Sequence, residues 1–182
     1  MLNFFLYYII ILFFTSCDNN PIPRTYKLKK ISVLDNFESK QKFDLKIIWD
    51  TPDNWKEIPG NSFSLSMYQI IGAIDYSEIS ITQFSGDAGG IESNVNRWRR
   101  QLALTPLSLN EIVSNSDLNS NLIGKFSIHE IINNDKPETA FLGMILPLDD
   151  STIFVKLKTT KNGIKDLKNI FLNFCLSFKY IN

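Results

Sequence analysis

The stretch GDAGGIESNVNRWRRQL, residues Gly86–Leu102, joins a glycine loop to an amphipathic helix, and the other predicted elements are arranged around it. Ile91, Val95, Trp98 and Leu102 recur at steps of four, three and four residues and therefore share one helix face. The glycines provide the backbone freedom for a sharp reversal from a preceding strand into the helix. We expect the apolar face to pack on a β-sheet, with Trp98 as its anchor.

The segments on both sides of this helix alternate apolar and polar residues, as strands with one buried face do. The alternation runs through residues 63–68, 79–84 and 153–158, and residues 123–128 also have the character of a strand. Ala140–Leu146 is almost wholly apolar, which predicts a central strand covered on both faces. A last helix and a short strand through Phe178 and Tyr180 are expected to follow, the inner face of the helix being Ile164, Leu167, Ile170, Phe171 and Phe174. This order predicts an α+β domain with helices packed on an antiparallel sheet.

Short polar segments predict where these elements begin and end. Residues 51–54 (TPDN) turn the chain, so that Trp55 folds back onto the core. Ser108 and Glu111 have the spacing of a capping box that opens a short second helix. We also expect a loop over residues 114–121, a hairpin connection at 149–151, and a turn at 161–163 that leads into the last helix.

Composition and charge describe one globular domain. Of the 182 residues, 44% are hydrophobic and 13% aromatic, which is enough apolar material for a core. Nineteen basic residues balance nineteen acidic residues, so the formal net charge is +0. Such a chain has no overall positive field to gather a polyanion, and we do not expect nucleic acid among its partners.

The amino terminus is an uncharged apolar run that ends at Phe14-Thr15-Ser16-Cys17. The run is shorter than the roughly 20 apolar residues that cross a bilayer, and it ends in small residues as a signal peptide does. It resembles a bacterial lipoprotein signal peptide over residues 1–16, which implies that the Cys17 thiol carries a lipid. An uncleaved anchor or a plain secretory signal is the alternative. Cys175 would then be a single thiol among apolar residues, which predicts a buried and inert side chain.

Three regions follow from this interpretation: the signal peptide 1–16, a lipidated cysteine and tether 17–42, and a single domain 43–182. The tether carries four basic residues between positions 24 and 30. They either rest on anionic head groups or keep a linker solvated. We expect the lipid on Cys17 to hold the chain to a membrane of the bacterial cell envelope, with the domain in the periplasm or at the exterior.

The candidate binding residues lie on the loop and on the outer face of the central helix: Asp87, Asn96, Arg97, Arg99, Arg100 and Gln101. Arginine is favoured at interfaces, which predicts a recognition surface for an envelope protein. The alternative is that Asp87 caps the loop and helix while the arginines are merely solvated. A phosphate site is disfavoured, because Asp87 supplies a carboxylate and the spacing matches neither a dinucleotide fingerprint nor a P-loop.

No motif in the sequence carries a recognisable reaction. His129 is the only histidine, and without metal-ligand spacing around it we expect a surface side chain. We predict no catalytic residue, no metal and no cofactor, and therefore a non-enzymatic binding or assembly module. The alternative is a hydrolase-like or small-ligand-binding enzyme with a site near Gly86–Gly90. Folding would then have to bring a serine, His129 and an aspartate together.

Two resemblances add to these expectations. The residues Thr51-Pro52 with Trp55, the late hairpin, and the run from Phe171 to Phe178 resemble the Mog/PsbP-like α/β/α sandwich. That resemblance implies an extrinsic binding or assembly subunit at a membrane. Separately, the pattern GDAGG…NxNRWRxQL within Gly86–Leu102 is similar to an uncharacterised family of bacterial secreted proteins and lipoproteins. Neither resemblance implies catalytic residues.

Overall fold

A computed structural model describes residues 47–181. The strands are β1 (Ile47–Ile48), β2 (Trp55–Glu57), β3 (Ser64–Ile70), β4 (Glu78–Ser85), β5 (Asp117–Ser120), β6 (Lys125–Ile132), β7 (Ala140–Pro147), β8 (Ser151–Thr159) and β9 (Lys179–Tyr180). The helices are α1 (Gly90–Gln101), α2 (Leu109–Ser114) and α3 (Lys161–Leu176). The predicted signal peptide, the lipidated Cys17, the tether and the start of the domain at residue 43 lie outside the described residues and stay predictions.

Seven strands form one antiparallel sheet in the order β2-β3-β4-β8-β7-β6-β5. The hairpin of β7 and β8 lies near the middle. Residues 148–150 connect the two strands, so the connection predicted at 149–151 is off by one residue, because Ser151 already begins β8. Every residue of Ala140–Leu146 is buried, which confirms the prediction of a central strand covered on both faces. A separate two-stranded sheet pairs β1 with β9. Helices cover both faces of the large sheet, so the predicted α+β sandwich is confirmed.

The helix α3 packs on one face of the sheet through Leu167, Phe171 and Phe174. It begins at Lys161, because the Thr160 hydroxyl caps it by accepting the Gly163 N–H at 3.0 Å. The predicted turn at 161–163 is therefore wrong, since these residues form the first helical turn. Ile170 was predicted on the inner face of this helix but is 38% exposed.

The helices α1 and α2 pack on the opposite face. Trp98 is 4% exposed and lies directly against Gly143 of β7. A Cβ atom at position 143 would overlap three carbons of the Trp98 ring, so the close approach of helix and sheet depends on this glycine. The predicted capping box is confirmed: the Ser108 hydroxyl accepts the Glu111 N–H, and Glu111 Oε2 accepts the Ser108 N–H at 2.8 Å.

Two local predictions for the sheet were wrong. The segment 114–121 was expected to be a loop, yet Asp117–Ser120 forms the edge strand β5. Its residues are mostly exposed on both faces, so no apolar alternation marks it. In β3 the expected alternation fails because the register shifts between Ser64 and Ser66. After this irregularity Tyr68, which was expected on the wet face, is buried instead.

The remaining core residues follow the sequence predictions. Trp55 is buried and its ring lies 4.6 Å from that of Phe174. Cys175 is fully buried, which confirms the predicted burial, and this burial raises the pKa of its thiol well above the usual value. The predicted lack of reactivity stays a prediction. Within residues 47–181, no helix is long and apolar enough to cross a membrane.

Candidate functional site

The glycine loop before α1 is tied to neighbouring backbone on several sides. The Gly86 N–H donates to the Asp150 carbonyl at 2.7 Å, and the Thr152 hydroxyl donates to the Gly86 carbonyl at 2.8 Å. Asp87 Oδ1 accepts the Gly89 N–H at 3.0 Å. Gly89 is the residue before the helix and has φ +86°, a conformation that favours glycine.

Asp87 therefore stabilises the loop rather than the helix. The helix N-cap is Gly89, and no side chain bonds to the free N–H groups there. The expectation that Asp87 caps the helix is wrong, while its bond to the loop is present. The binding role predicted for Asp87 stays a prediction.

Two asparagines of α1 hold the loops at its two ends. Asn94 Nδ2 donates to the carbonyls of Ala88 and Gly90 at 2.9 and 2.7 Å. Asn96 is 7% exposed and uses both ends of its amide on Leu107: its Nδ2 donates to the carbonyl at 2.8 Å, and its Oδ1 accepts the N–H at 2.9 Å. The Asn96 amide thus fixes the connection from α1 to α2, although it was predicted to face a partner.

The three arginines occupy different parts of the helix surface. Arg97 is exposed and donates to Asn94 Oδ1 at 2.7 Å. Arg99 is partly buried and donates through Nε to the Thr105 carbonyl at 2.8 Å. Arg100 is exposed. Among residues 47–181, none of the three arginines forms a salt bridge with a carboxylate.

Next to the arginine face lies an open cleft of about 430 Å³, over the part of the sheet that α1 leaves uncovered. Gln101 contributes one wall, and its Oε1 accepts a hydrogen bond from Lys156 Nζ at 2.9 Å. Lys156 Nζ also lies 4.2 Å from the centroid of the Phe141 ring. This contact is a cation–π interaction, which favours the charged amine.

Electrostatics distinguish Lys156 from the surface lysines. Burial, with smaller contributions from the positive charges of Lys158 and Arg97, lowers the pKa of Lys156 to about 8. Lys158 lies in the same cleft and forms a 3.5 Å ion pair with Glu78. Sequence reasoning did not select these residues, because the two lysines appear only as the polar half of an alternating strand. Their proximity to Arg97 depends on how α1 crosses the sheet.

His129 was expected at the surface, and this prediction is wrong. It is 4% exposed on β6, where it pairs with Gly143 in the register of the sheet. Its Nε2 lies 2.8 Å from the Ser127 hydroxyl, and burial lowers its pKa to about 4. In the part of the chain that the structure describes, no three potential metal-ligating side chains come together.

These features define an α+β sandwich with a basic helix face beside an open, lysine-containing cleft. No protein-family model matches the sequence, and no curated protein matches it. The chain is similar in structure to the cyanobacterial PsbP protein CyanoP of Synechocystis sp. PCC 6803, at 14% identity and a TM-score of 0.48, over 74% of this chain and 86% of that one. It is also similar to a protein of Bacteroides thetaiotaomicron VPI-5482, at 12% identity and a TM-score of 0.40, over 74% of this chain and 44% of the other.

Proposed function

We propose that this chain is a lipid-anchored protein of the bacterial cell envelope whose domain binds a partner protein and catalyses no reaction. The lipobox-like residues before Cys17 support the anchor. The GDAGG…NxNRWRxQL pattern, with its likeness to bacterial secreted proteins and lipoproteins, supports the same location. The domain would lie in the periplasm or at the exterior.

One observation carries the binding role: Arg97 and Arg100 of α1 form no salt bridge with a carboxylate among the described residues. Arg97 and Arg100 are exposed, and Arg97 is held in place by its bond to Asn94. A guanidinium that is already oriented loses less side-chain freedom when it meets a carboxylate. The matching partner surface is therefore acidic, with Asp or Glu side chains opposite these arginines.

The enzyme alternative near Gly86–Gly90 receives less support from the geometry. The polar groups of that loop bond to one another and to β8, as the contact of Gly86 with Thr152 illustrates. His129 is neutral, buried and bonded to Ser127. For these reasons we favour the outer face of α1, and a binding role, over a catalytic site at the loop.

The anchor is tested by metabolic labelling of the native host with radioactive palmitate. The full chain should incorporate the label, and the Cys17→Ala variant should not. The Cys175→Ala variant is the matched control, since Cys175 is buried and should not affect labelling. Label that persists in Cys17→Ala would contradict lipidation at this position.

The binding role is tested with a photo-crosslinking amino acid placed at Arg100 in the native host. The expected result is a discrete crosslinked product that is lost when Arg97 is changed to Glu in the same chain. The control position is Lys165, which is exposed on α3, on the other side of the sheet. No product at Arg100, or the same product from Lys165, would refute a binding surface on α1.

A further inference from the structure

The cleft beside α1 is lined by charged side chains, hydroxyl groups and apolar residues. Its cationic side is formed by Lys156 and Lys158 of β8. From the adjacent strand β4, Thr82 and Ser80, which is paired with Lys156, contribute hydroxyl groups. Its volume, about 430 Å³, falls within the range of about 300–1,000 Å³ that is typical of small-molecule sites.

The charges around the cleft do not cancel. Arg97, Lys156 and Lys158 are positive, whereas Glu78 is the one carboxylate that lines the cleft in the part of the chain that the structure describes. Glu78 forms an ion pair with Lys158 and also raises the pKa of Lys156 slightly, but it balances only one of the three positive charges. The Lys156 pKa of about 8 keeps this amine mostly charged at neutral pH, even though the side chain is partly buried. Lys156 is partly desolvated and forms no salt bridge of its own among the described residues, so an anion that binds beside it would stabilise its charge.

The present partner of Lys156 is replaceable. It is the neutral Oε1 of Gln101, an exposed side chain at the end of α1. The amide oxygen of Gln101 is neutral, so a carboxylate in its place would add a full charge–charge attraction to the hydrogen bond and would compete well for this amine. Met67 also lines the cleft and offers apolar surface to the remainder of such a ligand, whereas Phe141 is 3% exposed beneath Lys156.

We propose that this cleft binds a small organic carboxylate, whose carboxylate group displaces Gln101 from Lys156 while its apolar part lies against Met67. The inference goes beyond the proposed function, because a small ligand fills the cleft without a protein on the outer face of α1. The two proposals are tested separately: crosslinking at Arg100 detects a bound protein, whereas calorimetric titration measures the binding of a small carboxylate in the cleft.

The experiment is calorimetric titration of the full chain in detergent with hexanoate, benzoate and glutarate. The neutral amides of the same acids serve as matched probes, and inorganic phosphate tests for general anion binding. We expect saturable binding of at least one carboxylate and none of its amide. No saturable binding, or equal affinity for phosphate, would overturn the proposal.

Two variants test whether the carboxylate binds in the cleft. Lys156→Met keeps most of the aliphatic stem on Phe141 and should weaken binding about 10- to 100-fold, the effect of losing one charged hydrogen bond. Lys165→Met on α3 is the control and should leave the affinity unchanged. Equal affinity in Lys156→Met and the unchanged chain would show that the ligand lies elsewhere.

The second variant is Gln101→Ala, which removes the competing acceptor at an exposed position and should fold normally. Binding should tighten several-fold, because the carboxylate no longer has to displace an amide. Unchanged or weaker binding would refute the displacement. Binding of an acidic peptide in the cleft, without binding of any small carboxylate, would assign the site to a protein partner and overturn the small-ligand proposal.

Discussion

The contact between Trp98 and Gly143 allows a sharp test of how α1 is held on the sheet. Gly143→Ala adds a Cβ that would overlap three carbons of the Trp98 ring. Both residues are enclosed, Trp98 being 4% exposed, so neither can move without disturbing the core. Overpacking of this kind costs about 1–3 kcal/mol of the free energy of unfolding.

A double-mutant cycle isolates this contact. Trp98→Ala alone should cost about 3–5 kcal/mol, as large core truncations do. In that background Gly143→Ala should cost less than about 0.5 kcal/mol, because the new methyl group enters the vacated space and alanine is less flexible than glycine in a strand. Urea unfolding followed by far-ultraviolet circular dichroism measures all four free energies.

The matched control is Gly124→Ala. A Cβ there would lie 3.9 Å from Leu146 Cδ1, an ordinary contact, and stability should change by less than about 0.5 kcal/mol. If Gly143→Ala were as harmless as Gly124→Ala, or cost the same with and without Trp98, the close contact of helix and strand would be refuted.

Three further predictions concern buried polar groups. His129 has a pKa of about 4 in the folded chain and about 6.5 when unfolded, so the unfolded state binds more protons between these pH values. The free energy of unfolding should therefore fall by about 3 kcal/mol as the pH drops from 6.5 to 4. Urea unfolding of His129→Gln should show a weaker dependence of stability on pH over this range. Asn96→Ala leaves the Leu107 backbone groups without their partners and should cost about 1–3 kcal/mol in the same assay, an unchanged midpoint contradicting the structural role. In a Cys17→Ser chain, Cys175 should react with a thiol reagent only after urea is added, and rapid labelling of the native chain would contradict its burial.

Much of the fold could be predicted from local patterns. The spacing of Trp98 and its neighbours set the inner face of α1, and the burial of Ala140–Leu146 followed from its continuous apolar run. The capping box of Ser108 and Glu111 was also correct, because both partners lie within one helical turn. Such features depend on residues close together in sequence, and short-range geometry decides them.

The candidate site was less predictable. Asn96 and Arg97 are neighbours on the same helix. Asn96 is buried and forms hydrogen bonds with Leu107, whereas Arg97 is exposed beside the cleft. Nothing in the residue types indicates which of them faces solvent. His129 was misplaced for the same reason: α1 and α2 cover the face of β6 that its alternation marks as polar.

Hydrophobic periodicity and capping act over a few residues, and they were enough to predict the helices, most strands and the face on which Trp98 lies. The contacts of Trp98 with Gly143 and of Lys156 with Gln101 arise instead from the folded domain. Those contacts join residues 45 and 55 positions apart, and they depend on strand order and on where α1 crosses the sheet. No local pattern encodes that crossing, because it results from the packing of the whole domain.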